Sequence, residues 1–204
     1  MFALVESGTI TQFPKGNKGI TLGDNKYPQT VYTLWTEAER NAIGIYTVEI
    51  DSTNRKDEEF YVNTNITYAF GSGKVTGSYG TATAKAIADA DAVDDSGNKL
   101  KDAEGNQVIN YGLKTKYKNK FNAEAAGLLA KTDWYVIKAA DVGSYSVPSN
   151  ITTYRAAVRT KVNAMETSID GCSDVDALIT LLTYTTDSEG VQSRPLGEFP
   201  DEVV

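Results

Sequence analysis

The sequence predicts an α+β protein, in which a small, mostly antiparallel β region is followed by a C-terminal bundle of about four helices. Before residue 85 the chain is rich in Thr, Tyr and Gly, and its apolar residues alternate with polar ones, as in half-buried strands. From Leu113 onward, apolar residues recur at three- and four-residue steps, which is the helical period. The chain is therefore expected to consist of four parts: a β-rich domain (1–85), a linker with an exposed hairpin (86–111), a helical domain (112–186) and an extended tail (187–204).

One short helix is predicted inside the β-rich domain, after an initial apolar strand at 2–5. Thr36 stands three residues before Glu39, which is the spacing of a capping box. Gly44 follows as a helix stop. These signals predict a helix over about 36–43.

The other strands of this domain are predicted from turn residues and alternation. Turn formers dominate 14–28, so this segment is expected to be a loop around a brief strand at 20–22. Apolar residues share one face in each of two further segments: Tyr46, Val48 and Ile50, and then Phe60, Val62, Ile66, Tyr68 and Phe70. A hairpin turn is expected at 71–73. The result is an antiparallel sheet with one solvated face, whose Thr and Asn residues suit contact with another protein.

The linker holds two similar turn-forming segments of five residues, 94–98 and 102–106, which we call the pentads. With Leu100 and Val108 beside them, they predict a small exposed hairpin or a two-turn loop. The Ala-rich stretch 81–92 fits either a short helix or an extended arm. The pentad carboxylates suggest calcium, but their spacing lacks the D-x-[DN]-x-[DN]-G core and the distal Glu of an EF-hand loop. No metal site is therefore predicted.

Four helices are predicted in the helical domain. The first carries one apolar stripe: Leu113, Tyr117, Phe121, Ala125, Leu128 and Leu129. The second is expected to begin at Thr132, acting as its N-cap, and to turn Trp134 and Ile137 inward. The third is expected to use Ser149 as its cap and to pack through another stripe: Ile151, Tyr154, Val158, Val162, Met165 and Ile169. The fourth opens at 173–176, and an irregular tail follows it.

Composition excludes most kinds of chemistry for this chain. Histidine is absent, which removes Ser-His-Asp and Cys-His catalysis and nearly all zinc, copper and non-haem iron sites. Cys172 is the single cysteine and is expected to be a small buried apolar side chain. The formal charge of −7 argues against a nucleic-acid or anionic-membrane partner. No stretch approaches the roughly 18 apolar residues that cross a bilayer. We therefore expect no enzymatic activity, no cofactor and no membrane association.

Two motifs in the helical domain carry a family resemblance. Residues 128–134 read LLAKTDW, and residues 154–159 read YRAAVR. Together they resemble the signature of tailed-bacteriophage proteins in the tail-fibre assembly chaperone and tail assembly chaperone-like group. Val158 stands where that signature usually has Leu. The resemblance implies a phage tail protein that is assembled in the bacterial host cytoplasm and works by contact with other tail proteins, or with itself as a homo-oligomer.

Within the signature, a hairpin of two helices is expected to pack Trp134 against Tyr154. Truncating Trp134 to alanine is then expected to cost about 3–5 kcal/mol of folding stability. Arg155 and Arg159 lie four residues apart on one helical face. Arg155 is expected to bind Asp133 or backbone carbonyls at a helix end.

The tail offers a second set of candidate contacts. Leu196 and Phe199 are apolar residues in an otherwise polar segment, so they are candidate anchors for a partner surface. The alternative is a tail that folds back onto its own helices. The expected function is a non-enzymatic structural subunit of a phage tail, such as a fibre-associated, baseplate or connector component of the virion. The alternative is an assembly chaperone that is not retained in the virion.

Overall fold

A computed structural model describes residues 1–203, in which a mixed β sheet that nearly closes into a barrel precedes a set of helices. The predicted α+β class is therefore confirmed. The chain divides between Thr83 and Ala84 into two units, which are described separately below. In the described chain, no helix is both long enough and apolar enough to cross a membrane.

The first unit is mainly strand, with two short helices between β4 and β5. Its elements in chain order are β1 (Phe2–Glu6), β2 (Thr9–Gln12), β3 (Ile20–Leu22), β4 (Asn25–Tyr27), a 3-10 helix (Gln29–Tyr32), α1 (Glu37–Ala42), β5 (Ile45–Asp51), β6 (Tyr61–Val62), β7 (Thr67–Gly71) and β8 (Lys74–Ser78). A short strand, β9 (Thr83–Ala84), follows at the boundary.

Five of these strands form one sheet in the order β2-β1-β5-β8-β7. Neighbouring strands are antiparallel, except that β5 and β8 run parallel. The parallel pair arises because β8, the second strand of the β7–β8 hairpin, lies next to β5, whereas β7 lies at the edge of the sheet. Where β2 approaches β7, the ring centroids of Phe13 and Tyr68 are 4.7 Å apart, and this contact nearly closes the barrel.

Both faces of the sheet are covered around β1, where neighbouring side chains point to opposite faces. Ala3 packs with Val48 and Val75 in one core cluster. Leu4 belongs to a second cluster, formed with the 3-10 helix and the start of β5: Leu4, Val31, Tyr32 and Ile45. The expectation of one solvated face is therefore wrong at this point, because the 3-10 helix and the β3–β4 hairpin cover the second face.

The predicted helix at 36–43 is confirmed as α1. Its N-cap, Thr36, accepts a hydrogen bond from the N–H of Glu39 at 3.3 Å, and the Glu39 carboxylate accepts from the N–H of Thr36 at 2.7 Å, which completes the capping box. Hydrogen bonds from Thr36 also lower the pKa of Glu39. The β7–β8 hairpin is also present at the expected position.

The single alternating strand expected over 60–70 is instead two pieces, β6 and β7. Asn63 ends β6, because its side chain exchanges two hydrogen bonds of 2.8 Å with the main chain of Lys56 and so takes the place of a ladder pair. Phe60 and Tyr61 are consecutive and both buried, and Val62 is 58% exposed. The prediction that Val62 shares the buried face is therefore wrong.

Over residues 84–203, the second unit contains four helices and short strand pairs. Its elements are β10 (Ala90–Asp91), β11 (Ile109–Asn110), α2 (Leu113–Ala130), α3 (Asp133–Asp141), α4 (Ser149–Asp170), α5 (Val175–Leu182), β12 (Thr185–Thr186) and β13 (Gln192–Ser193). The predicted stripe of α4 is buried along its whole length. The stripe of α2 is buried from Leu113 to Ala125 and half-buried at Leu128 and Leu129.

One of the two predicted N-caps is at its expected position and the other is not. Thr132 occupies the N-cap position of α3, but its hydroxyl donates to the carbonyl oxygen of Leu129 at 2.9 Å and forms no cap hydrogen bond. Ser149 is the first residue of α4, and Pro148 occupies the cap position. Asp174 does cap α5, since its carboxylate accepts a hydrogen bond from a first-turn N–H at 2.8 Å.

Residues 90–110 form three short antiparallel arms around one junction. β10 pairs with β11 in one arm, and each pentad closes another. At the junction the N–H of Ala92 donates to Val108, that of Leu100 to Ala92, and that of Val108 to Leu100, at 2.8–3.0 Å. These three residues are eight positions apart, so the repeat of the pentads produces a closed ring of three hydrogen bonds. The Ala-rich stretch before it is extended and contains no helix.

The tail folds back onto the helices of its own unit. Leu196 is 3% exposed. Its N–H donates to the carbonyl oxygen of Leu181 at 3.1 Å, and its carbonyl accepts from Nζ of Lys161 at 2.8 Å. Phe199 is half-buried. The expectation that Leu196 is an exposed anchor for a partner is therefore wrong, and the alternative of a tail docked on its own chain describes the structure.

Candidate functional site

The connection between α2 and α3 is held by one buried arginine of α4. Nη1 of Arg155 donates to the carbonyl oxygen of Leu129 at 2.8 Å and to Oγ1 of Thr132 at 2.7 Å. Its Nη2 lies 2.8 Å from Oδ1 of Asp133, the first residue of α3. Arg155 is 9% exposed and Thr132 is 5% exposed. One side chain therefore fixes the end of α2, the connection and the start of α3.

These contacts satisfy polar groups that helix ends leave open. The last carbonyls of an α-helix have no intrahelical partner, and the C-terminus carries a partial negative charge, so a guanidinium there is favourable. The carboxylate of Asp133 lies in the first turn of α3, where negative charge is favoured. Both contacts expected for Arg155, with Asp133 and with a helix-end carbonyl, are present.

α3 exposes its large apolar side chains, contrary to the prediction. Trp134 is 50% exposed and Ile137 is 67% exposed. No residue of α3 is buried, and its half-buried residues are Tyr135 and Ala139. The expected packing of Trp134 in the core of the helical hairpin is therefore wrong.

The reason lies in the run of large apolar residues at 134–137. Four such residues in succession surround a helix, so their spacing selects no buried face. Tertiary contacts make the choice instead, and they turn Tyr135 toward the protein. The run of apolar residues at 134–137 does predict an exposed apolar surface, because a helix that is buried on one side leaves some residues of such a run in contact with solvent.

We call the exposed apolar residues of this helix and its end the α3 surface: Trp134, Val136, Ile137 and Val142. Lys138 lies beside it, with Nζ 5.6 Å from the ring centroid of Trp134 and 4.3 Å from that of Tyr145. Within 1–203, Lys138 forms no ion pair. The α3 surface thus combines apolar side chains with one cation that is held only by aromatic rings.

The two other signature residues of α4 have different environments. Tyr154 is 6% exposed, and its hydroxyl has no hydrogen-bond partner in the described chain. Burial raises the pKa of this phenol. Arg159 is exposed, and its Nη1 donates to the carbonyl oxygen of Arg155 at 3.3 Å. Tyr154 is a core residue, whereas Arg159 is a surface residue on the same helix.

The groups that α3 exposes are apolar side chains, one ammonium group and carboxylates. In the described chain, no group of three or more His, Cys, Asp or Glu side chains is placed to hold a metal ion. Burial raises the pKa of the Cys172 thiol, which disfavours the reactive thiolate.

Comparison of the chain with protein-family models, curated proteins and solved structures gives no significant match.

Proposed function

We propose that this chain is a non-enzymatic structural subunit of a bacteriophage tail and that it acts through protein–protein contacts made by the α3 surface. One observation carries the proposal: α3 is fixed at its start by a buried arginine, yet it leaves Trp134 and Ile137 uncovered. Exposed apolar patches of this kind mark interaction sites on proteins.

The way α3 is held favours tight binding. Because Arg155 ties the start of the helix to α2 and α4, a partner meets a formed helix and does not have to order it. Trp is among the residue types that contribute most to binding energy at interfaces. Ile137 and Val136 extend the apolar area around it.

The assignment to a phage tail is supported by the LLAKTDW and YRAAVR motifs. Their residues act together in this chain, since Arg155 of the second motif binds Leu129, Thr132 and Asp133 of the first. In this chain the two motifs therefore form one structural unit, a clamp in which Arg155 holds the start of α3.

The test is quantitative mass spectrometry of purified particles of the phage that carries this sequence, with the major capsid protein as internal standard. A tail subunit is expected at a fixed copy number per particle, after washing in high salt. If the protein is abundant in the lysate and absent from the particles, the proposal is wrong, and a transient assembly chaperone is the better description.

A further inference from the structure

A cavity of about 420 Å³ opens in the first unit, beside the loop that joins β2 and β3. Phe13, Ile20 and Tyr32 form its apolar wall, and Lys15 and Lys18 line it on the loop side. The cavity lies within the first unit and shares no residue with the α3 surface.

The charge at this cavity is of one sign. No carboxylate lines it, although the chain as a whole carries a net charge of −7. Among residues 1–203, neither Lys15 nor Lys18 forms an ion pair. Two ammonium groups beside one concave surface raise the local concentration of anions.

The main chain of the loop adds hydrogen-bond donors. In the part of the chain that the structure describes, the N–H groups of 15–18 donate to no protein acceptor. The loop nevertheless has a defined conformation: Gly16 has a φ of +72°, and a Cβ there would lie 3.4 Å from the ring of Phe2 and 3.6 Å from that of Tyr32. Successive backbone N–H groups without a protein acceptor are the donors from which concave anion-binding sites are built.

The apolar wall limits the kind of anion that fits. The cavity is several times larger than a bare phosphate, and Phe13 presents a ring that is 41% exposed. We propose that this cavity binds an organic anion, whose phosphate or carboxylate group contacts Lys15, Lys18 and the loop N–H groups while a planar or apolar portion packs on Phe13. This binding activity is independent of the function proposed for α3.

The proposal is tested by titrating the full ¹⁵N-labelled chain with phenyl phosphate in a low-salt, phosphate-free buffer and recording amide chemical shifts. Saturable shifts are expected at 12–13, at 15–20 and at Tyr32. The double substitution Lys15→Gln and Lys18→Gln is expected to weaken binding by about tenfold or more, because each lysine supplies a charge-assisted contact. The matched control, Lys26→Gln with Lys74→Gln, removes the same charge from the same unit and is expected to change the affinity less than about twofold.

Three companion probes separate the parts of the proposal. Benzoate carries a carboxylate where phenyl phosphate carries a phosphate. Whichever of the two binds more tightly identifies the anionic group that the cavity prefers. Inorganic phosphate is expected to bind more weakly than phenyl phosphate, and equal affinity would contradict the role of Phe13. Benzyl alcohol is expected not to bind. The proposal is overturned if neither phenyl phosphate nor benzoate gives saturable shifts, or if the Lys15/Lys18 variant binds as the control variant does.

Discussion

The ion pair between Arg155 and Asp133 is asymmetric: the two groups are 2.8 Å apart, but the arginine side chain is 11% exposed and the aspartate side chain 52% exposed. The aspartate stays hydrated, whereas the arginine is enclosed and also serves Leu129 and Thr132. The stability of the clamp therefore resides in the hydrogen bonds of the arginine more than in the ion pair.

Substituting Arg155 is expected to destabilise the helical unit strongly. Arg155→Met leaves the buried Thr132 hydroxyl without its donor and removes the charged hydrogen bond to the Leu129 carbonyl, which keeps its bond from Thr132. We expect the free energy of unfolding to fall by about 2–4 kcal/mol. Asp133→Asn is expected to cost less than about 1 kcal/mol, since that partner is largely exposed. Arg159→Met, on the surface of the same helix, is the control and should change stability by less than about 0.5 kcal/mol. Chemical denaturation followed by circular dichroism measures all three, and equal costs for Arg155 and Asp133 would contradict the asymmetry.

Truncating Trp134 is expected to be mild for folding. Because half of this side chain is already in water, Trp134→Ala should lower the free energy of unfolding by about 1–2 kcal/mol. Phe121→Ala provides the contrast: Phe121 is 2% exposed, so its truncation should cost about 3–5 kcal/mol. Thermal melts of the two variants measure these losses of stability. A loss of stability for Trp134→Ala as large as that for Phe121→Ala would show that Trp134 is a core residue.

Phe121 and Trp134 also show where burial can be predicted from the sequence and where it cannot. Phe121 belongs to a stripe that keeps the helical period over many residues, and such a pattern specifies one buried face. Trp134 belongs to a run of large apolar residues in a nine-residue helix, and this run shows no helical period that would identify a buried face. The choice of face there depends on contacts with distant residues such as Arg155.

The errors in the first unit and in the tail have a similar origin. Alternation places Val62 on a buried face, but the side chain of Asn63 replaces a strand pair and ends the strand there. Leu196 lies in a polar segment, so composition alone indicated a free anchor. Its burial depends on hydrogen bonds with Leu181 and Lys161, which are remote in sequence.

Leu196 is expected to stabilise the helical unit. Its side chain is 3% exposed, so Leu196→Ala should lower the free energy of unfolding by about 2–5 kcal/mol. Val191→Ala, at a residue of the same tail that is 57% exposed, is the matched control and should cost less than about 0.5 kcal/mol. Equal melting temperatures for the two variants would show that the tail does not contribute to the core.

The turns of the three-armed segment are expected to weaken only in strong acid. Hydrogen bonds from the side chain and N–H of Asn98 lower the pKa of Asp94 below its usual value of 3.8, and those from Asn106 do the same for Asp102. A carboxylate with a lowered pKa in the folded state stabilises it fully above its usual pKa, and this stabilisation is lost as the pH falls through the lowered value.

Amide signals of the two pentads in NMR spectra report this transition. They are expected to be unchanged from about pH 7 down to the usual Asp pKa of 3.8 and to lose their dispersion only below it. The double variant Asp94→Asn and Asp102→Asn removes the two carboxylates that accept these hydrogen bonds, so the loss of dispersion in acid should no longer occur, although the carboxylates of Asp95 and Glu104 remain. A transition centred above about pH 4.5 would mean that these carboxylates are not held by the hydrogen bonds described here.

The central claim is that the α3 surface binds another protein of the particle. Its most direct test is the copy number of the Ile137→Asp variant in purified particles, measured by mass spectrometry when the variant replaces the wild-type protein. Ile137 is 67% exposed, so this substitution should leave the thermal melt unchanged, and Val191→Asp places the same charge at a residue that is 57% exposed and lies outside the α3 surface. The account predicts that incorporation of the Ile137 variant falls about tenfold or more, while the Val191 variant enters particles at the wild-type level. Incorporation of the Ile137 variant at the wild-type copy number would contradict it.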